Sequence, residues 1–266
     1  MHIIRWYCLV GIIVLLGSPS VRVVRSHRFA PIMPLCWSRK SNLFFVIIMF
    51  PLYEPQWWID LLLSLNAWMQ ANEVLATRVP IVADVFVFVY PIYLVAVYLY
   101  GVWHHENDYK ESALYVWFSA FVTVCINIVV QSFVIKERPD VVLQVLDSSR
   151  DSLLLNQYLP TSTFPSDHAG VSMAVAIATI VWGVHYKKKW YVYFGIILLV
   201  MSLAMCVARI AVAVHWPTDI IAGLVFGTVV PMILLWNPIW SRVKKRIVHP
   251  LMRLQVWLWS VVGLKG

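Results

Sequence analysis

The chain has 266 residues, of which 61% are hydrophobic and 13% charged, with a formal net charge of +8. Soluble domains carry about 25% charged residues, so this composition excludes an ordinary soluble domain and predicts an integral membrane protein. The 14 tryptophans agree with rings that settle at the membrane interface. Lysine and arginine gather in short loops and in the C-terminal tail, where they set topology and contact anionic lipid. The basic charge therefore does not indicate a nucleic-acid partner.

The N-terminal region combines short apolar runs with basic residues. Residues 7–17, YCLVGIIVLLG, resemble the apolar part of a signal peptide, but three arginines follow them closely. Residues 43–50 are apolar but short, and Met49 is an alternative start. We leave residues 1–54 open between a leader and an extra anchor. Residues 55–77 carry apolar side chains on one broad face, which predicts an amphipathic helix lying in the membrane interface.

Five later runs are apolar and long enough for transmembrane helices, at 79–103, 112–135, 169–185, 190–209 and 219–236. The predicted fold class is therefore all-α: a polytopic transmembrane helix bundle with about five core spans plus the N-terminal interfacial helix. The membrane domain is predicted over 55–238, and a basic cytoplasmic tail over 239–266. The four cysteines show no paired spacing, so neither a disulfide nor a metal site is predicted.

The charges of the connecting loops predict the orientation of these spans. The loop HYKKKW, residues 185–190, and the tail SRVKKRIVHP are short and basic, so both should be cytoplasmic. The loop at 104–111 then lies on the same side. The polar stretch at 136–168 and the turn at 210–218 are placed at the opposite face.

Three polar clusters stand at that opposite face. They are KERPD (Lys136 to Asp140), PSDH (Pro165 to His168) and ARIAVAVHWPTD (Ala208 to Asp219). Ionisable groups at membrane depth are expensive and suggest function. Five spans can bring the three clusters into one pocket.

The side chains of these clusters suit an anionic substrate. Arg138 and Arg209 offer planar donor groups that match phosphate oxygens, although either alone fits an arginine that extends to the interface. Ser166 opens a helix whose free amides bind anions, although serine also caps helices routinely. His168 is near enough to protonate a leaving oxygen.

The third cluster pairs a histidine with a carboxylate. Pro217 fits the first position of a helix, which leaves Asp219 in its first turn. From there Asp219 can bond the imidazole of His215, fix its tautomer and raise its basicity. Together the clusters predict a phosphoryl-transfer site that uses no metal and no cofactor.

At this point the chain resembles the type 2 phosphatidic acid phosphatase superfamily of integral-membrane lipid phosphatases. The family signature is Lys, six residues, Arg-Pro; then Pro-Ser-Gly-His; then Ser-Arg, five residues, His, three residues, Asp. The matching residues here are Arg138, Ser166, His168, Arg209, His215 and Asp219. The resemblance covers residues 55–238 and implies that these form a membrane phosphatase domain.

Three residues depart from the signature. Gln131 stands where the family has lysine, Ala208 where it has serine, and Asp167 where it has glycine. Pro-Ser-Asp-His occurs in bacterial enzymes resembling undecaprenyl-diphosphate phosphatases. We expect Gln131 and Asp167 to lie at the substrate phosphate. Because Gln131 replaces a lysine, the side chains that bind the phosphate carry one positive charge fewer. Asp167 would repel the phosphate unless its carboxylate turns away. Lys136 is a partial substitute for the missing lysine, but a helical step of five points elsewhere.

The resemblance implies a role for each matching residue. His215 attacks phosphorus and is transiently phosphorylated, while Asp219 orients it. His168 protonates the leaving oxygen and then activates water. Arg138, Ser166 and Arg209 hold the equatorial oxygens of the phosphate.

The lipid itself is left open by these motifs, because apolar walls between helices contact its tail. Undecaprenyl diphosphate, acted on at the extracytoplasmic face of a bacterial-type plasma membrane, is the leading interpretation. Phosphatidic acid, phosphatidylglycerol phosphate, a lipid A phosphate and transfer to a second lipid are the enzymatic alternatives. A non-catalytic phosphate-binding membrane protein is a further alternative, which Gln131 favours and the histidines oppose. The expected partners are the lipid substrate and the bilayer, with no obligate protein partner.

Overall fold

The computed structural model describes residues 54–143 and 162–261. Three parts of the chain lie outside the described residues: 1–53 of the region left open between a leader and an anchor (1–54), the middle of the polar stretch at 144–161, and the last five residues of the tail. The helices are α1 Gln56–Gln70, α2 Glu73–Val85, α3 Val89–Trp103, α4 Asn107–Phe133, α5 Pro139–Leu143, α6 Asp167–His185, α7 Lys189–Ala211, α8 Pro217–Leu235, α9 Asn237–Val243 and α10 His249–Val261. A 3₁₀ turn, Phe86–Phe88, joins α2 to α3, and a π-helical turn, Lys244–Val248, joins α9 to α10.

The described residues contain five helices that are long and apolar enough to cross a membrane, which confirms the predicted all-α bundle. The spans are Glu73–Trp103, Asn107–Phe133, Asp167–His185, Lys189–Ala211 and Pro217–Leu235. The last three spans begin and end within two residues of the predicted runs, and α4 begins five residues earlier than predicted. The first span begins six residues earlier than predicted, because α2, the 3₁₀ turn and α3 form one continuous path of 31 residues.

The amphipathic segment predicted over 55–77 is divided in the structure. Helix α1 ends at Gln70, and Asn72 starts α2 by accepting the backbone N–H groups of Val74 and Leu75 at 3.0 and 3.3 Å. An asparagine cap satisfies donors that the first helical turn leaves free, so it begins a new helix. The buried face of α1 includes Asn66, whose amide donates to the carbonyl of Ala211 at 2.8 Å.

Helix α6 is the centre of the bundle and packs against α4, α7 and α8. Glycines allow α6 and α8 to approach closely: a Cβ atom on Gly223 would lie 2.6 Å from the carbonyl oxygen of Ser166. Gly227 packs against the backbone of Gly170 in the same way, one turn further along. This contact brings the N-terminal ends of α6 and α8 together, and the N–H of Ser166 bonds the carbonyl of Asp219 at 3.1 Å.

The described part of the predicted tail is helical. Trp240 and Val248 are buried against the bundle. Lys244 is 2.8 Å from Glu111 near the start of α4, which ties the tail to the end of the bundle that carries the basic loop.

Candidate active site

A reversing turn at the end of α7 sets the spacing between Arg209 and His215. The N–H of Val214 bonds the carbonyl of Arg209 at 3.2 Å, and the N–H of Ala213 bonds that of Ile210 at 2.9 Å. This is a Schellman motif, and Ala213 has the left-handed φ of 55° that the motif requires. The chain therefore turns back directly after the helix, which brings His215 beside the arginine six residues earlier.

The next helix begins immediately after His215. Pro217 is the first helical residue of α8, where its missing N–H is not needed. The carboxylate of Asp219 turns back to accept the N–H of Trp216 through Oδ2 at 2.9 Å. Because Asp219 lies in the first turn, its side chain returns to the loop that holds His215.

The contacts of His215 fix its tautomer. Nδ1 is 3.1 Å from the carbonyl oxygen of Thr163 and 3.6 Å from Oδ2 of Asp219. A carbonyl and a carboxylate only accept hydrogen bonds, so Nδ1 carries the proton. Nε2 then presents its lone pair, and Nη2 of Arg209 lies 3.4 Å from it. The motif predicted Asp219 as the orienting group but not Thr163, whose backbone contact leaves no mark in the sequence.

His215 is uncharged in this environment. Burial lowers the pKa of His215 to about 4, and the charges of Arg209 and Arg138 act in the same direction. The hydrogen bond with Asp219 opposes this shift without reversing it. A neutral imidazole whose Nε2 is unprotonated at neutral pH is the form that a nucleophile needs.

Arg209 is fully buried and held from its far side by the first span. Its Nη1 donates to the carbonyl of Ala83 at 3.0 Å and lies 3.4 Å from Oδ1 of Asp84. Nη2 is the group that faces His215. The sequence analysis missed Asp84, although a single carboxylate inside an apolar run is itself a signal of function.

Arg138 reaches the same turn from the segment after α4. Its Nη1 donates to the carbonyl of Val214 at 3.2 Å. Backbone contacts fix this segment on both sides: the indole of Trp216 donates to the carbonyl of Glu137 at 2.8 Å, and the N–H of Asp140 donates to that of Ala213 at 3.0 Å. The two arginines therefore lie on either side of the loop that carries His215.

The start of α6 contributes Ser166 and His168. Ser166 is fully buried and acts as the helix cap, because its hydroxyl accepts the N–H of Ala169 at 3.5 Å. His168 lies close enough to Arg209, His215 and Arg138 to interact with their charges. Its Nε2 is buried and makes no hydrogen bond to any residue in 54–143 or 162–261. An unused ring nitrogen beside two arginines suits proton transfer to a bound substrate.

Gln131 and Asp167 bond each other beside this centre. Nε2 of Gln131 donates to Oδ2 of Asp167 and to the carbonyl of Pro165, both at 3.1 Å. The amide of Asn127 donates to Oδ1 of Asp167 at 2.9 Å. The carboxylate is thus held by donors from α4, and the amide donors of Gln131 are already used.

Lys136 contacts the carboxylate of Asp219. Its Nζ lies 2.8 Å from Oδ1 of Asp219, the oxygen opposite the one that faces His215. The sequence analysis weighed Lys136 only as a substitute cation for the phosphate.

Six predicted residues meet in one buried cluster: Arg138, Ser166, His168, Arg209, His215 and Asp219. Within the described part of the chain, no group of three His, Cys, Asp or Glu side chains is placed to hold a metal ion. The cluster offers a neutral nucleophile, a second histidine and two guanidinium groups, which together can bind and transfer a phosphoryl group.

The sequence profile of the PAP2 superfamily matches residues 112–242, which include all six. Over this segment the chain matches the PAP2 superfamily. The resemblance found from the three motifs is therefore confirmed. With five candidate spans and this family match, the protein is an integral membrane protein.

One relative is the "Putative undecaprenyl-diphosphatase YbjG" of Escherichia coli (strain K12), which is 30% identical over 95 residues. The matched segment is 36% of this chain and 42% of that protein, so the chain matches less than half the length of this curated relative. No solved structure matches the chain significantly.

Proposed function

We propose that the protein hydrolyses a lipid phosphate or diphosphate through a phosphohistidine intermediate at His215. The observation that carries this proposal is the fixed tautomer of His215. Nδ1 holds its proton against Thr163 and Asp219, so the lone pair of Nε2 points toward Arg209, where a phosphate would lie.

The first step transfers the phosphoryl group to the protein. Nε2 of His215 forms a bond to the terminal phosphorus, and the bond from that phosphorus to the leaving oxygen breaks. The leaving oxygen is the ester oxygen of a lipid monophosphate or the bridging oxygen of a lipid diphosphate. His168 gives its proton to that oxygen as it leaves. Arg138 and Arg209 stabilise the charge on the equatorial oxygens, and Asp219 stabilises the positive charge that develops on the imidazole.

The second step releases phosphate. His168, now neutral, takes a proton from a water molecule, whose oxygen bonds to phosphorus. The bond between phosphorus and Nε2 breaks, and the lone pair returns to His215. Protons and electrons balance over the two steps without a metal or a cofactor.

Undecaprenyl diphosphate is the substrate we propose. The Pro-Ser-Asp-His motif and the name of the Escherichia coli relative support this choice. Phosphatidic acid, phosphatidylglycerol phosphate and a lipid A phosphate are the alternatives, because the residues around phosphorus do not contact the lipid tail. Transfer to a second lipid differs only in the acceptor of the second step.

Phosphate release from a lipid panel tests the function. Purified protein in detergent is given each lipid phosphate with and without EDTA, and we expect activity that survives chelation. His215→Ala should abolish turnover, whereas His185→Ala, at the exposed opposite end of α6, should retain it. A His215→Ala variant that keeps more than about a tenth of the activity would refute the nucleophile, since its loss costs several orders of magnitude. Tight binding of lipid phosphate without release would favour the non-catalytic alternative.

We further propose that the site lies at the extracytoplasmic face of a bacterial-type plasma membrane. The basic loop at Lys187 to Lys189 lies at the opposite end of the bundle. In a cysteine-free background, Glu137→Cys at the exposed site end should react with an impermeant thiol reagent from outside. Lys188→Cys should react only after the membrane is opened, and the reverse pattern would invert the topology.

A further inference from the structure

Lys136 and Glu54 form a buried ion pair behind the active site. Nζ of Lys136 lies 2.6 Å from Oε1 of Glu54 and 2.8 Å from Oδ1 of Asp219, and it also donates to the hydroxyl of Thr218. The hydroxyl of Thr218 donates in turn to Glu54. The side chains of Lys136 and Glu54 are 8% and 7% exposed, and that of Asp219 is 0% exposed.

We infer that Glu54 and Lys136 are positioning residues for Asp219, and through it for His215. This inference rests on the phosphatase function proposed above and assigns a role to a segment outside the family match at 112–242. Neither residue touches the reacting atoms, so their effect is transmitted by the carboxylate of Asp219.

The ammonium group of Lys136 has no donor left for a substrate. It carries three N–H groups, and three acceptors surround it: Glu54, Thr218 and Asp219. Lys136 therefore does not act as the phosphate-binding lysine that the family signature places at position 131.

The two carboxylate oxygens of Asp219 have different partners. Oδ1 is held by Lys136, while Oδ2 accepts the N–H of Trp216 and faces Nδ1 of His215. With Oδ1 fixed, the carboxylate plane cannot rotate, so Oδ2 stays opposite the imidazole. A charge-assisted bond at this position orients the group more strongly than a neutral one.

Glu54 places a second carboxylate against Lys136. One cation lies between two buried carboxylates, and a buried charge needs a paired partner. Burial raises the pKa of Glu54, which the charge of Lys136 opposes. The carboxylate of Glu54, which comes from the residues just before α1, gives Lys136 a second charged partner beside Asp219.

A four-protein cycle tests this chain of contacts: the parent, Glu54→Gln, Lys136→Met and the double variant. Lys136→Met should lower kcat by about ten- to a hundred-fold with little change in KM, because misplacing a catalytic group affects the chemical step. Glu54→Gln should lower kcat by about five-fold, since Lys136 loses a charged partner and keeps only a hydrogen bond to an uncharged amide oxygen. Asp60→Asn, an exposed change in α1, is the matched control and should be silent.

The double variant separates positioning from a general structural role. If Glu54 acts only through Lys136, then Glu54→Gln should have no further effect once Lys136 is methionine. The same kcat loss in both backgrounds, or a Glu54→Gln variant with the parent kcat, would overturn the inference.

A second readout keeps the inference distinct from the proposed function. Diethyl pyrocarbonate modifies neutral imidazole, and mass spectrometry of the peptide containing His215 gives its rate in all four proteins. The rate should change in both single variants and not change further in the double variant. If the parent released no phosphate from any lipid, the proposed function would fail, while this pattern would still support the link to His215. Equal rates in all four proteins would overturn it.

Discussion

Two buried polar clusters meet at the start of α6, and they differ in what their hydrogen-bonding groups have left to bind. Around Asp167, both carboxylate oxygens accept amide donors, from Asn127 and from Gln131. Around His215, the unprotonated ring nitrogen faces Nη2 of Arg209, and the buried Nε2 of His168 makes no hydrogen bond within the described residues. Both clusters are polar and both occupy positions of the signature, although Gln131 and Asp167 depart from it. Only the second cluster retains groups that can react.

The largest loss of activity is expected from a substitution of Arg209, in the cluster around His215. Its two terminal nitrogens are divided between Ala83 and Asp84 on one side and His215 on the other. Lysine places one charge at a single point and cannot make both contacts. Arg209→Lys should therefore lower kcat/KM by about a hundred-fold or more, as loss of a transition-state donor does. Steady-state kinetics on the preferred lipid measures this, with Arg253→Lys in α10 as the control; a loss below about three-fold would contradict the role.

The packing that joins the clusters predicts the next effect. A Cβ atom on Gly223 would lie 2.6 Å from the carbonyl of Ser166, which is backbone and cannot move away cheaply. Gly223→Ala should separate the starts of α6 and α8, lowering kcat by about ten-fold, since small misplacements are costly. Val225→Ala on the exposed face of α8 is the control. Unchanged kcat and melting temperature in Gly223→Ala would show that this contact does not position the site.

The motifs predicted most of the reactive cluster, because Arg138, Ser166, His168, Arg209, His215 and Asp219 lie at helix ends with fixed spacing. The spans followed from apolar length alone. What the sequence analysis missed acts across long separations: Asn66 on Ala211, Asp84 on Arg209 and Glu54 on Lys136. Such partners are set by how helices pack, and periodicity carries no information about packing. Thr163 contributes a backbone oxygen, which every residue type has, so no residue pattern indicates it.

The pH dependence of stability should show that His215, unlike the cluster around Asp167, contributes a group that is neutral in the native protein. Its pKa is lowered from 6.5 to about 4, so between these values the unfolded chain binds a proton that the native protein does not. Stability therefore falls as pH drops through this window, by about 3 kcal/mol in total, at 1.36 kcal/mol per pKa unit. Thermal unfolding in detergent from pH 7 to pH 4 should show a steeper loss for the parent than for His215→Gln. Parallel curves would mean that His215 is not neutral in the native protein.

The smallest effect is expected at Gln131, where the family carries lysine. Its amide is engaged with Asp167 and the carbonyl of Pro165, so an ammonium placed there would meet the Asp167 carboxylate first. The new charge would be neutralised by that pair rather than offered to the phosphate. We therefore expect Gln131→Lys to keep kcat/KM within about three-fold of the parent on a monophosphate and a diphosphate, and Gln131→Ala to weaken it modestly, since one neutral hydrogen bond is lost.

Removing the carboxylate at position 167 from the Gln131→Lys variant tests this explanation directly. In the double variant Gln131→Lys, Asp167→Asn, the new charge has no carboxylate partner at position 167, so KM for the lipid phosphate should fall below that of either single variant. Asp167→Asn alone is the matched control and should differ little from the parent. The new amide oxygen can accept from Gln131, and its NH2 can donate to Asn127 once the Asn127 amide turns over, since Oδ1 of Asn127 has no hydrogen-bond partner among the described residues. If Gln131→Lys alone lowers KM by more than about ten-fold, the side chain at 131 reaches the phosphate despite Asp167. If it abolishes activity in a folded protein, the cluster around Asp167 is not independent of the one around His215, and the division between them fails.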